Sequence, residues 1–165
     1  MNNVEMNFYY IKDGIPSMKD SFIVSLLDRC EKDGTLEMFF FGDRKPDKQG
    51  FVRRIKYEPR LMFFTILYEG DIAGFGLVDN IRHRTGQGHF CVFSEYWGHE
   101  ASISATKEVY RRLLEKQFTV LIGIIPKDNA FAIQFCEKTG MKYLCDIPQH
   151  FNGIDGVQFC IEREV

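Results

Sequence analysis

Residues 92 to 114 constrain this chain more than any other stretch. Phe90-Cys91-Val92-Phe93 is a short apolar run that reads as a buried strand, and Ser94-Glu95-Tyr96-Trp97-Gly98-His99-Glu100 reads as a turn. A helix follows, with Ile103, Val109, Tyr110, Leu113 and Leu114 on one side. A strand that runs straight into a helix start leaves backbone N–H groups at the mouth of a sheet, where an anion, most often a phosphate, fits. The pattern repeats downstream. Val120-Leu121-Ile122-Gly123-Ile124-Ile125 is a second strand, Pro126-Lys127-Asp128-Asn129 a turn, and a short helix ends at Gly140. Two such units side by side define a site between the C-terminal ends of their strands.

The remaining segments arrange themselves around this pair. Met6-Asn7-Phe8-Tyr9-Tyr10-Ile11 predicts a first strand closed by Asp13-Gly14. Ser17 is the expected N-cap of a helix whose apolar stripes are Met18, Phe22, Leu26 and Ile23, Leu27, Cys30, ending at Asp33-Gly34. Leu36-Glu37-Met38-Phe39-Phe40-Phe41 is a short apolar segment, helix or strand undecided, and residues 42 to 50 read as a polar loop. Leu61 to Tyr68 and Ile72 to Val78 form a hairpin around Glu69-Gly70-Asp71. The Gly-x-Gly in its second arm precedes no helix, so it marks a bulge or close packing and no phosphate loop. Residues 79 to 88 read as a polar loop into the central strand, and residues 141 to 163 as a final hairpin turning at Asn152-Gly153. The order is β-α-(irregular)-β-β-β-α-β-α-β-β. It predicts an α/β (α+β) fold with a mixed, mostly antiparallel twisted sheet and helices on both faces.

A chain of 165 residues with 45% hydrophobic and 27% charged residues is expected to be one globular domain, residues 1–165. A net charge of −2 argues against nucleic acid as the main partner. Five cysteines without paired short spacing read as reduced thiols in a cytoplasmic protein. No basic leader or membrane-length apolar run is present, so no membrane association is expected. Four histidines and five cysteines give no metal-ligand spacing, and neither a nucleophile elbow nor a Walker pattern occurs.

Asn129-Ala130-Phe131-Ala132-Ile133-Gln134-Phe135-Cys136-Glu137-Lys138-Thr139-Gly140-Met141 resembles the last helix motif of the GNAT acyltransferase superfamily. Val92-Phe93-Ser94-Glu95-Tyr96-Trp97-Gly98 is similar to that family's strand-to-pyrophosphate turn, in the Tyr-Trp-Gly form of some ribosomal-protein acetyltransferases. The likeness covers roughly residues 60 to 145 and implies a GNAT-like fold. It also implies an acyl-CoA-dependent N-acyltransferase, with acetyl-CoA as co-substrate and direct attack by a primary amine in a ternary complex. A small-molecule or protein amine is the implied acceptor, with a homodimer or a protein partner left open.

Site residues follow from the same resemblance. The pyrophosphate falls to the backbone around Trp97, Gly98, His99, Glu100, Ala101 and Ser102. The thioester oxygen falls to a main-chain N–H of Val92 or Phe93, and the pantetheine arm to Asn129, which equally suits helix capping. His89 stands near the place of the family's carboxylate base, and a neutral imidazole is a workable base near pH 7. A surface or hydrogen-bonded histidine is the other reading. Cys136 takes the place of the tyrosine that returns a proton to the leaving thiolate, or is an inert core thiol. Glu95 reads as solvated.

Glu100 departs from the family pattern, since it replaces a glycine where a pyrophosphate would sit. Either it points away or pairs with Arg111 or a lysine, or it marks a GNAT-fold module without catalysis. Such a module would be a binding or assembly factor, for example one encoded by a virus, with Phe39, Phe40 and Phe41 as its protein interface. Arg53, Arg54, Lys56 and Arg60 form either a wall for an acidic acceptor or a solvated face balanced by Asp43, Asp47 and Glu58.

Overall fold

A computed structural model describes residues 3–39 and 47–163. The strands are β1 (Val4–Phe8), β2 (Ile11–Lys12), β3 (Ile15–Pro16), β4 (Met62–Tyr68), β5 (Asp71–Arg82), β6 (Thr85–Val92), β7 (Val120–Pro126), β8 (Lys142–Phe151) and β9 (Ile154–Glu162). The helices are α1 (Asp20–Asp33), α2 (Leu36–Phe39), α3 (Lys48–Tyr57), α4 (Glu100–Lys116) and α5 (Ala130–Lys138). Seven strands form one sheet in the order β1-β4-β5-β6-β7-β9-β8, while β2 and β3 form a separate small hairpin. Within the large sheet only β6 and β7 run parallel. The expected mixed, mostly antiparallel sheet is therefore what forms.

Helices cover both faces. On one, Ala105, Val109, Tyr110 and Leu113 of α4 and Cys136 of α5 pack with Phe64, Leu121 and Phe159 of the sheet. On the other, Ile23, Leu27 and Cys30 of α1 and Phe51, Val52 and Ile55 of α3 pack with Phe63, Phe75 and Cys91. Alternation along β6 sends Phe90 to the first face and Cys91 to the second, as the period of two requires. The Gly-x-Gly of β5 is a close-packing device. A Cβ on Gly74 would stand 2.1 Å from the Cys91 carbonyl oxygen, and one on Gly76 would stand 2.6 Å from the Phe64 ring.

Several sequence expectations are corrected. Residues 79 to 88 form no loop: β5 runs on to Arg82, the chain reverses at His83-Arg84, and β6 starts at Thr85. Asp79 tolerates burial there because Arg54 and His89 hydrogen-bond its carboxylate. Ser17 is no helix cap. α1 starts after Lys19 without a side-chain cap, and the Ser17 hydroxyl accepts from Tyr10 N–H and donates to Phe8 C=O. Leu36 opens a single helical turn, and the supposed loop before residue 50 ends in α3, capped where Asp47 accepts from Gly50 N–H at 2.5 Å.

Within the basic group, Arg54 pairs with Glu58 and Asp79, and Lys56 with Asp20. The balance expected from Glu58 is present, Asp47 caps α3 instead, and Asp43 lies outside the described residues. Of the three phenylalanines assigned to an interface, Phe39 turns inward, its ring 5.1 Å from that of Phe75. Phe40 and Phe41 lie outside the described residues. Among the described residues no helix is long and apolar enough to cross a membrane.

Candidate active site

The site begins as a gap in the sheet. β6 and β7 pair only from Thr85↔Val120 to Gln87↔Ile122. Beyond that point β6 stays bonded to β5 through Val92, and β7 to β9 through Pro126, so the two strands diverge. Phe93 N–H donates to Ala73 C=O at 3.0 Å, which turns that residue's backbone toward β5. By alternation, the backbone of Val92 and Phe90 turns the other way, into the gap. Of the two residues expected to offer a main-chain donor, Val92 is the one whose edge faces the gap. Phe93 instead buries its ring in the core.

A cavity of about 370 Å³ fills the gap. Its walls come from both faces of the sheet: Thr35, Phe39 and Cys91 on one side, Phe90, Ser102 and Ile103 on the other, and Phe131, Gln134, Phe135 and Lys138 of α5 along its length. Val92, Trp97, Gly98 and Asn129 also line it. Apolar walls with a few polar groups are what a binding pocket needs. The α5 phenylalanines and Thr35 carry no site assignment from the sequence, and Phe39, assigned there to a protein interface, lines the cavity. Aromatic spacing on a short helix looks like core until the fold puts Phe131 at the mouth, 84% exposed.

The turn after β6 is held from several sides. Ser94 to Tyr96 form a 3-10 turn, and Gly98 takes φ +74°, a left-handed conformation that glycine adopts freely. Ser94 N–H donates to the Asp33 carboxylate at the end of α1. Burial works against that carboxylate, but hydrogen bonds from Thr35 and Ser94 hold it below the usual range. Glu95 is not merely solvated, because it pairs with Arg29 at 2.5 Å, and the Arg29 guanidinium lies 3.8 Å from the Phe93 ring centre. The Trp97 indole N–H donates to Val92 C=O at 2.8 Å and so occupies one acceptor of the open strand edge.

α4 then starts with Glu100, and its N-cap residue His99 makes no side-chain cap bond. The first N–H groups of a helix have no acceptor within it, so this end is electropositive and points at the cavity rim. Ser102 lines the cavity, but its hydroxyl donates back to His99 C=O at 2.8 Å. His99 and Glu100 are exposed, and Ala101 lies in the first turn of α4. Arg111, a proposed partner of Glu100, instead pairs with Glu108 and Glu115. Asn129 caps α5, its Oδ1 accepting from Ala132 N–H at 3.1 Å.

The two expected proton-transfer residues stand back from the cavity lining. His89 lies on the α1–α3 face, its Nε2 3.1 Å from Asp79 Oδ1. Burial works against the Asp79 carboxylate, yet His89 and Arg54 hold it below the usual carboxylate range. Cys136 sits in the core beside α4, and burial pushes its thiol up to about 12.

These residues suit an extended thioester ligand well at one end and less well at the other. The Val92 edge and the apolar cavity match an amide-bearing chain lying along a strand. The α4 terminus matches a phosphate group, except for the carboxylate of Glu100.

No family model matches the sequence, and no curated protein matches it. Solved structures do. An acetyltransferase from Salmonella typhimurium that modifies the N-terminal serine of 50S ribosomal subunit protein L7/L12 is 12% identical with TM-score 0.72, covering 98% of this chain and 95% of its own. The spermidine N-acetyltransferase of Vibrio cholerae, solved with CoA and spermine, is 12% identical with TM-score 0.69 and 95% coverage of both chains. The microcin C7 self-immunity acetyltransferase MccE, solved with acetyl-CoA and AMP, is 12% identical with TM-score 0.67 and 87% coverage of both. The chain has the GNAT fold.

Proposed function

We propose that this protein is an acyl-CoA-dependent N-acyltransferase that moves an acetyl group from acetyl-CoA to a primary amine by direct attack in a ternary complex. The observation that carries this reading is the open edge of β6 at Val92, facing a cavity of about 370 Å³ beside the α4 terminus. The same fold in acetyltransferases solved with CoA or acetyl-CoA supports it. The Val92 N–H would donate to the thioester oxygen, where negative charge grows during attack. Gly98, His99, Glu100, Ala101 and Ser102 would border the pyrophosphate, and Asn129 would border the pantetheine arm.

An attacking ammonium must lose a proton first, since a primary amine has a pKa near ~10. His89, oriented by Asp79, is the assigned base, acting through water because its ring stands outside the cavity lining. Cys136, the residue expected to return a proton to the departing thiolate, sits in the core outside the cavity lining with its thiol pushed up to about 12, which leaves that role to water.

A second reading rests on Glu100 and on the Trp97–Val92 bond, which together leave less room for a polyphosphate thioester. Under it, the chain is a binding or assembly module with the same scaffold. Calorimetric titration with acetyl-CoA, on the natural protein and on Glu100→Gly, separates the two. The enzyme reading expects binding by both, roughly fivefold or more tighter for Glu100→Gly, because removing a like charge near ~4 Å is worth that much even in water. No heat from the natural protein with binding by Glu100→Gly overturns the enzyme and leaves the module. With binding in hand, His89→Ala should lower kcat far more than it changes KM against an amine panel.

A further inference from the structure

We propose that Cys30 and Cys91 form a redox-active dithiol, at which a hydroperoxide closes a disulfide between α1 and β6. Their Sγ atoms stand 3.3 Å apart although 61 residues separate them in sequence, and both side chains are buried. A disulfide places its sulfurs about 2.05 Å apart, so the pair has to close by only roughly 1.2 Å. The surroundings supply what the chemistry needs. Cys91, though buried, is a lining residue of the cavity, which is the route we assign to a small oxidant, while Cys30 stands behind it. Thr35 Oγ1 stands 3.7 Å from the Cys91 sulfur and donates to Asp33 Oδ1 at 2.7 Å, which gives the pair one polar side.

The electrons balance in two steps. The Cys91 sulfur attacks the peroxide oxygen and the O–O bond breaks. The sulfur is oxidised to a sulfenic acid, and the peroxide, reduced, leaves as an alcohol or water carrying the thiol proton. The Cys30 sulfur then attacks the Cys91 sulfur, the S–S bond forms, and hydroxide departs with the Cys30 proton as water. The hydrogen bond between the thiols pushes the Cys30 pKa down and, with burial, the Cys91 pKa up, so Cys30 suits the second attack and the first rests on the place of Cys91 at the cavity. The pairing is independent of whether the cavity binds acetyl-CoA.

The test uses the full chain with Cys145→Ser, because the exposed Cys145 would otherwise compete for oxidant. Reduced protein is treated with hydrogen peroxide, unfolded, alkylated, and weighed intact and after digestion. The expected product is lighter by two hydrogens, takes up two fewer alkyl groups, yields a linked peptide pair containing Cys30 and Cys91, and melts higher than the reduced form. Cys91→Ala should lose the linked pair. If both cysteines remain fully alkylated, or Cys91 gains oxygen without linking to Cys30, the proposal is overturned. Neither overturning result depends on a variant that fails to fold.

Discussion

The two strand–helix units of the sheet start their helices in opposite ways. β7 enters α5 through Asn129, whose side chain accepts from Ala132 N–H and closes the helix end with a group of its own. β6 enters α4 through His99, which makes no side-chain cap bond, and places Glu100 as the first helical residue. One terminus is satisfied from within the chain. The other has no side-chain cap, its Ser102 N–H donating back to His99 C=O at 3.0 Å, and sets a carboxylate at its first residue. A closed helix end contributes stability, while an open one is available to a ligand. The asymmetry puts the uncapped helix end of the site at α4, while α5, closed at its end, walls the cavity with its side chains.

The largest expected effect tests where the core holds each unit. Phe93, fully buried at the exit of β6, should cost about 3–5 kcal/mol on substitution by alanine, whereas Phe131→Ala, on the exposed first turn of α5, should stay within about 0.5 kcal/mol. Chemical denaturation of both variants reads this directly. Equal losses would mean that the α5 unit is held by its exposed ring and the contrast is misplaced.

Next in size is the cap itself. Asn129→Ala should destabilise by about 1 kcal/mol, a drop in Tm of roughly 2–4 °C, with acetyl-CoA affinity little changed. A large loss of affinity without loss of stability would instead give Asn129 a hydrogen bond to the pantetheine arm it borders. Smallest is Glu100→Gln, which should lower Tm by about 1–2 °C because an acidic group in the first turn favours the helix dipole. The same change should tighten acetyl-CoA. Opposite signs at Glu100 and a single sign at Asn129 are what the contrast requires.

Much of this was legible in the sequence, and the reason is locality. Apolar periodicity in residues 90 to 125 and the Asn129 to Gly140 segment marks strands and helices that their own residues specify. What was not legible depends on distant partners. Asp79 reads as loop because a carboxylate seldom lies buried in a strand, and only Arg54 and His89, from a helix and the neighbouring strand, make it tolerable. Asn80 and His83 at φ +49° and +54° further blur the strand pattern there. Ser17 carries the chemistry of a cap, yet a strand–turn contact with Phe8 and Tyr10 claims its hydroxyl. The gap between β6 and β7, the aromatic mouth and the thiol pair are products of topology, with no signature at any single position.

The bond between the Trp97 indole and the Val92 carbonyl has a practical side. The chain contains one tryptophan, so all indole emission comes from this ring, half-exposed at the cavity mouth. A ligand that displaces the indole from the Val92 carbonyl releases its N–H to water. The protein therefore carries its own optical reporter, and a shift in emission during titration counts occupied sites without any label.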